Sequence, residues 1–170
     1  MLDETIITET PPLYSCYGRR GQQVRVPITG SRAKRVLHGA INVGTGDVLL
    51  LITDVWNEQT HQYFLGMIRS HWRGWQIVLS EDRGTPHTSE DTCDVAKDLQ
   101  LEIRWLPTAT PKLNAMDHLW KDVKGRALAN RPTVSIDQSA DKACQHILSM
   151  SPRQRLHKAG VLSDLFWLTH

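Results

Sequence analysis

Two short apolar runs with a helical segment between them constrain the fold of this 170-residue chain more than any other feature. The runs are residues 75–79 and 101–106, and both are continuous rather than alternating, as in strands that are buried on both faces. Between them, Ser89 begins a helical pattern that extends to Leu99. Strand, helix and strand in this order predict two parallel strands joined by a helical crossover, and therefore an α/β domain.

The N-terminal half adds strands to this unit. Residues 1–8, 36–43 and 48–53 are predicted strands, and a Gly-Thr-Gly-Asp turn at 44–47 separates the last two. A helix capped by Asn57 follows them and extends to Trp72. Helical spacing of apolar residues predicts three more helices, at residues 113–127, 136–150 and 152–159.

A meander of three strands followed by helix, strand, helix, strand and helices is the element order of the ribonuclease-H-like fold. We therefore predict one domain over residues 1–170, built as a mixed five-stranded sheet with flanking helices. A chain of this length buries a sizeable core without disulfides.

Composition excludes several classes of protein. Cys16, Cys93 and Cys144 are odd in number and lack the paired spacing of zinc sites or disulfide frameworks. No apolar run approaches the roughly 18 residues that span a bilayer. We expect a soluble protein of a reducing cytosol. The formal net charge is only +2, so any basic surface must come from local clustering.

One such cluster lies between residues 18 and 35, which contain six basic residues and no acidic one. Alternation over residues 22–28 predicts a strand there, so we interpret the segment as a basic hairpin or flap. It is the best local candidate for contact with phosphate groups, and a solvated charged surface is the alternative. Its basic residues are Arg19, Arg20, Arg25, Arg32, Lys34 and Arg35.

Three aspartates occupy positions that the predicted fold brings together. Asp3 lies on the first strand, Asp82 follows the fourth, and Asp117 lies on the helix after the fifth. Cleavage of a phosphodiester by two divalent cations needs a few convergent carboxylates, and hard oxygen ligands suit Mg²⁺ or Mn²⁺. We therefore predict Asp3, Asp82 and Asp117 as catalytic metal ligands.

The segments around these acids resemble a known family. Leu2-Asp3-Glu4-Thr5, the Asp-Arg-Gly-Thr-Pro-His-Thr segment at 82–88 and the segment 106–121 are similar to the three signature blocks of the mariner superfamily, in its bacterial insertion-sequence (six-thirty) branch. The third block contains Leu-Pro, a spacer, Pro-Lys-Leu-Asn, two further residues, the acid Asp117 and a downstream Trp120. Thirty-four residues separate Asp82 from Asp117, which is the family spacing.

This resemblance implies a cut-and-paste DNA transposase that uses two Mg²⁺ or Mn²⁺ ions. Water would be the first nucleophile and a freed DNA 3′-hydroxyl the second. It also implies binding to double-stranded transposon ends and target DNA, a homodimer, and a cytoplasmic, nucleoid-associated location in a bacterium. The helix-turn-helix region of the family has no room before Asp3, so we expect it to be absent. The alternatives are an inactive DNA-binding remnant and a ribonuclease-H-like nuclease without strand transfer.

Each of the first two acids has a competing interpretation. Asp3 has the position of an ordinary acid near a chain end, and Asp54 competes with it for the first metal position. Asp82 has the position of a turn former, and Glu81 would replace it if the register were shifted by one. Glu4 points to the opposite face of the strand from Asp3, which gives it little weight as a ligand.

Asp117 has a rival role as a helix cap. Asn114 is a predicted N-cap, which places Asp117 at the third helical position, where a carboxylate can bond back to the cap amide. Lys121 and Lys124 follow on the same face and are predicted DNA contacts, with a surface ion pair as the alternative. His87, five residues after Asp82, is predicted to contact DNA or to orient a carboxylate, with a structural role as the alternative. Trp120 lies in the apolar stripe of the same helix as Asp117 and is predicted to pack in the core.

Overall fold

Antiparallel strands form the first half of the fold in the computed structural model, which describes residues 1–28 and 30–169. The strands are β1 (Leu2–Thr8), β2 (Lys34–Ile41) and β3 (Val48–Thr53), with β2 in the centre. The register places Asp3 opposite Gly39 and Glu4 opposite His38. The predicted three-strand meander is confirmed.

A parallel strand pair forms the second sheet. β4 (Ile77–Glu81) pairs in parallel with β5 (Leu101–Trp105), as the continuous apolar runs predict. β1 contacts β4. Among the described residues, however, the hydrogen-bonded ladders form a three-stranded and a two-stranded sheet, so a single five-stranded sheet is not confirmed.

Six α-helices of the described chain surround these sheets, and local caps set where the longer ones begin. Asn57 caps α1 through a reciprocal bond pair with Thr60, and Ser89 caps α3. None of the described helices combines the length and apolar character that crossing a bilayer requires. The helices are α1 (Glu58–His71), α2 (Thr85–Thr88), α3 (Glu90–Asp98), α4 (Ala115–Asp122), α5 (Ile136–Leu148) and α6 (Pro152–Lys158).

Short non-α turns account for the other helical segments. Pro111–Leu113 and Trp167–Thr169 are 3₁₀ turns. Val123–Leu128 is a π-helical segment that continues directly from α4. The predicted long helix over residues 113–127 is therefore formed by α4 and this segment together, and it begins at Ala115.

Two apolar clusters form the core on either side of β1 and β2. One contains Leu37 and Ile41 with the buried faces of α4 and α5. The other contains Leu2 and Ala40 with α1, β4 and β5. Trp120 is 2% exposed in the first cluster, which confirms its predicted core position.

The predicted strand at residues 22–28 does not form. Val24 and Ile28 are 48% and 58% exposed, and Gln22 only closes a turn onto the Arg19 carbonyl. Alternation creates a strand only where a neighbouring strand accepts its hydrogen bonds and a core covers its apolar face. Neither is present for this segment among the described residues.

Replacing Gly39 with alanine is expected to lower the free energy of unfolding by about 1–3 kcal/mol, because the core has no space for a methyl group. A Cβ at Gly39 would lie 2.6 Å from Trp120 Cζ2 and closer still to Met116 Cε. Gly66→Ala is the matched control, since a Cβ there meets nothing within 4 Å in the middle of α1. It should stabilise by about 1 kcal/mol. Urea unfolding checks both, and equal effects would contradict the packing argument.

Candidate active site

The three predicted acids line one cavity of about 270 Å³. Asp3 comes from β1, Asp82 follows β4 directly, and Asp117 lies in the first turn of α4. The structure thus brings together side chains that are far apart in sequence. The rest of the wall is formed by Arg83, Gly84, Asn114 and residues 106–111.

Negative charge is concentrated at this cavity. Burial, followed by the charges of Glu4, Asp117 and Asp82, raises the pKa of Asp3 to about 8. By contrast, a hydrogen bond from His87 holds the pKa of Asp82 below its ordinary value. Neighbouring anions disfavour the charged form of Asp3. A bound cation would have the opposite effect and would stabilise Asp3 as a carboxylate.

The contribution of Asp3 to the stability of metal-free protein is expected to be lost as the pH rises from about 4 to about 8. The folded-state pKa of Asp3 is about 8 against an ordinary value of 3.8, so folding favours its proton. This stability is present below pH 3.8 and is lost as the pH rises through 8. Glu81, whose pKa burial also raises to about 8, contributes with the same sign.

Urea unfolding at several pH values with EDTA measures this loss. Asp3→Asn should make the dependence on pH shallower, whereas Asp98→Asn, at an exposed position, should leave it unchanged. An identical dependence in wild type and Asp3→Asn would contradict the prediction.

Asp117 is not used as a helix cap. The Asn114 side chain accepts from the Met116 amide, as predicted for an N-cap, but the Asn114 amide donates to the Pro111 carbonyl. Asp117 Oδ2 instead accepts from Lys121 Nζ at 2.5 Å. This carboxylate therefore remains at the cavity, paired with a lysine one turn further along α4.

Lys124 lies elsewhere. It is in the π-helical segment and lines a separate groove with Thr8, Pro11 and Pro12. Lys124 does not line the aspartate cavity, and its predicted contact with DNA stays a prediction. Lys121 does lie beside the acids, and its contact with DNA stays a prediction.

The two competing acids are not at the cavity wall. Asp54 has an 80% exposed side chain and pairs with Arg35 at 3.1 Å. Glu81 is fully buried and faces His61 at 3.4 Å. The strand register therefore presents Asp82, not Glu81, to the cavity.

The basic segment has no regular secondary structure over its described residues before β2. Arg35 also pairs with Asp137, at 2.9 Å, so it ties β2 to α5 rather than presenting a free charge to DNA. The proposed phosphate contacts of the other basic residues stay predictions. All five are exposed: Arg19, Arg20, Arg25, Arg32 and Lys34.

His87 lies inside the protein with 1% of its surface exposed. Its Nδ1 lies 2.9 Å from Asp82 Oδ1 and its Nε2 lies 3.1 Å from Glu4 Oε2. The prediction that His87 contacts DNA is wrong for this structure, because a buried ring has no surface for a phosphate. Orientation of a carboxylate, the other prediction, fits its contacts with Asp82. Burial opposes protonation, but Asp82 and Glu4 raise the pKa of His87 to about 11.

Sequence reasoning missed a buried group behind the cavity, which we call the Glu4–histidine cluster: Glu4, His38, His61 and His87. Burial favours the neutral acid, but hydrogen bonds from the three histidines hold the pKa of Glu4 well below its usual range. Burial lowers the pKa of His61. Glu4 does face away from the cavity, as predicted. A signal for His61 was present, since its spacing to Phe64, Leu65 and Ile68 is that of one helical face.

Comparison with protein families decides the class of this chain. A family model described as DDE superfamily endonuclease matches residues 1–139. The chain belongs to this DDE superfamily. The DDE chain is also 26% identical over 155 residues to the insertion element IS630 uncharacterized 39 kDa protein of Shigella sonnei. That alignment covers 88% of the DDE chain and 44% of the Shigella protein, so the chain spans less than half of that relative.

Solved structures show the same fold. The match to the Mos1 transposase paired-end complex with left transposon end covers 97% of the DDE chain and 52% of the Mos1 chain, with a TM-score of 0.74 and 16% identity. The match to the catalytic domain of Mos1 mariner transposase covers 95% of the DDE chain and 74% of the Mos1 domain, with a TM-score of 0.66 and 16% identity. At this level of identity the likeness establishes the α/β, ribonuclease-H-like fold of the DDE chain.

Proposed function

We propose that this chain is the catalytic domain of a transposase that cuts DNA strands and transfers them to new sites. The convergence of Asp3, Asp82 and Asp117 on one cavity carries this proposal. Family membership and the likeness to Mos1 transposase structures support it. We also propose that β1 and β4, which are in contact, act as the middle of one mixed five-stranded sheet that holds the first two acids rigidly.

The donor set fits Mg²⁺ or Mn²⁺. All three side chains offer carboxylate oxygens. Burial and then the surrounding anions raise the pKa of Asp3, and bound cations would neutralise the negative charge of these acids. Two bound ions would activate the attacking oxygen and stabilise the leaving one. The protein's part is to hold the acids: Asp82 Oδ1 accepts from the Gly84 amide at 3.0 Å and from His87, which fixes the orientation of its carboxylate.

Positive groups at the cavity suit a phosphodiester backbone. Arg83 lines the cavity and lies 5.9 Å above the Trp105 ring, and Lys121 pairs with Asp117. Double-stranded DNA, with transposon ends and target DNA as the two substrates, is the partner we propose. Two copies of the chain acting together and a cytoplasmic, nucleoid-associated location in a bacterium belong to the same proposal.

A nicking assay on supercoiled plasmid with Mn²⁺ tests the activity. Wild type should nick the plasmid, and EDTA or Asp82→Asn should abolish nicking. Asp98→Asn, which removes the same charge at an exposed position on α3, should retain it. Folded protein that binds DNA without nicking it would overturn the enzyme proposal and favour a DNA-binding remnant.

A second assay separates the transposase from a nuclease without strand transfer. Joining of a pre-cut DNA end to plasmid, dependent on Asp82, supports transfer. Cleavage of branched or hybrid duplexes with no joining would instead indicate a ribonuclease-H-like nuclease.

The exposed basic segment should contribute to DNA affinity through phosphate contacts. Each phosphate contact changes the slope of log K against log salt by about 0.9, so Arg25→Gln with Arg32→Gln should reduce the slope by about 2. Lys97→Gln with Lys142→Gln, an equal charge change at exposed helix positions, should leave the slope unchanged. Fluorescence anisotropy with duplex DNA measures both. Equal slopes in the two double variants would show that the segment is only a solvated surface.

A further inference from the structure

Three histidine rings converge on one carboxylate oxygen in the Glu4–histidine cluster. His38 Nδ1, His61 Nδ1 and His87 Nε2 each lie 3.3 Å from Glu4 Oε1. The histidine side chains are at most 2% exposed and that of Glu4 is 9% exposed. One oxygen therefore faces three ring nitrogens in a space that largely excludes water.

The far nitrogens of two of these rings face groups that accept hydrogen bonds. His87 Nδ1 lies 3.1 Å from the Asp82 carbonyl oxygen, which can only accept. His38 Nε2 lies 3.0 Å from Thr53 Oγ1, whose own proton is donated to the Val55 carbonyl. Both rings therefore carry a proton on the far nitrogen. A cation bound beside Glu4 would displace any proton on the near nitrogen, which then supplies its lone pair to the ion.

Glu81 supplies an independent observation that points to a cation site at the cluster. Its carboxylate is fully buried, and neither oxygen has a hydrogen-bond partner among the described residues. Oε2 lies 3.4 Å from His61 Nε2, which also lacks one. If His61 Nδ1 bound a cation, the ring proton would be fixed on Nε2 and aimed at Glu81. Such a carboxylate behind a ligating histidine is the usual outer shell of a metal site.

We propose that Glu4, His61 and His87 bind one divalent transition-metal ion, best matched by Zn²⁺, at a site behind the aspartate cavity. One ligand atom from each residue lies within 4.8 Å of the others. Contacts of 3.1 and 3.3 Å between Glu4 oxygens and histidine nitrogens match a tetrahedral ion, whose bonds of about 2.0–2.1 Å separate neighbouring ligands by about 3.3 Å. Imidazole with carboxylate selects zinc-like ions over Mg²⁺. His38 Nδ1 lies 3.3 Å from Glu4 Oε1 and is not one of the three proposed ligands.

This ion would join elements that the aspartate cavity depends on. Glu4 follows Asp3 on β1, and His87 on α2 contacts Asp82 through its far nitrogen. His61 adds the buried face of α1. A metal bound here would hold the loop that carries Asp82 against the strand that carries Asp3.

Titration of the full metal-free chain with Co²⁺ tests the site without DNA cleavage. Four-coordinate Co²⁺ with nitrogen ligands absorbs intensely in the visible, whereas six-coordinate Co²⁺ among oxygens absorbs weakly. Wild type should show the intense band at about one ion per chain. His61→Asn should lose it, with affinity lower by about 100-fold or more. Two controls should keep it: His157→Asn, at an exposed histidine, and Asp117→Asn, at the other cavity.

Either of two results would overturn the site: wild type that shows only the weak band, or His61→Asn that keeps the intense one. Circular dichroism verifies that His61→Asn is folded. If it is not, Glu4→Gln replaces it, and the wild-type spectrum alone still decides whether a nitrogen-containing site exists. Plasmid nicking with Mn²⁺ is measured separately, so loss of this site and loss of the proposed function are distinguishable.

Discussion

Asp117→Asn is expected to lower Mn²⁺-dependent plasmid nicking by about 1000-fold or more. Metal ions supply several kcal/mol of transition-state stabilisation, and each 1.36 kcal/mol changes a rate about tenfold. The fold should be unaffected, because Asp117 does not cap α4 and its pair with Lys121 is worth only a few tenths of a kcal/mol. Without metal, removal of one clustered carboxylate should even relieve repulsion on Asp3.

Asp122→Asn is the matched control, five residues further along the same helix. Asp122 has a 10% exposed side chain and pairs with Arg126, His146 and Lys158 at 2.8–3.0 Å. Its loss should cost about 1–3 kcal/mol of stability, because charged hydrogen bonds are broken and a partner is left unpaired. It does not line the cavity, so nicking should persist at a temperature where the variant is folded.

Asp117→Asn should therefore lose nicking and keep its stability, whereas Asp122→Asn should lose stability and keep nicking. Asp117→Asn that nicks within about tenfold of wild type would remove this residue from the proposed machinery. Asp122→Asn that loses nicking while folded would show that charge along α4, rather than the cavity, controls the reaction.

Local signals explain what the sequence predicted well. The bounds of β3 and the Asn57 cap of α1 depend on short-range features, namely a turn, an apolar run and a capping residue. The positions of Asp3, Asp82 and Asp117 on their elements followed from the same features together with the family resemblance. Their convergence depends only on strand order, which the connection rules constrain.

Features that depend on tertiary partners were not predicted. Residues 22–28 alternate like a strand but pair with no strand among the described residues, and no local pattern indicated the π turn that contains Lys124. On α1, Tyr63 is 63% exposed, whereas His61 is fully buried. Histidine on a buried face is stable there only with a polar partner from elsewhere, in this case Glu4, which sequence periodicity cannot reveal.

Trp120→Ala is expected to lower the free energy of unfolding by about 3–5 kcal/mol, which is a large part of the stability of a domain this size. The ring fills the space over Gly39 and is 2% exposed, so the shorter side chain leaves a cavity between α4 and β2. Trp75→Ala, at a 58% exposed tryptophan, should change stability by less than about 1 kcal/mol. Urea unfolding followed by circular dichroism measures both, and similar losses would contradict the assignment of Trp120 to the core.

Trp120→Phe separates packing from polarity at the same position. Trp120 Nε1 is buried and has no hydrogen-bond partner among the described residues, so the indole N–H carries a desolvation cost that phenylalanine does not. Trp120→Phe should therefore lose less than half of what Trp120→Ala loses. Because α4 carries both Trp120 and Asp117, only Trp120→Ala should also reduce nicking as the helix shifts. Equal losses of stability in the two variants would indicate a hidden partner for the N–H rather than ring volume as the cause.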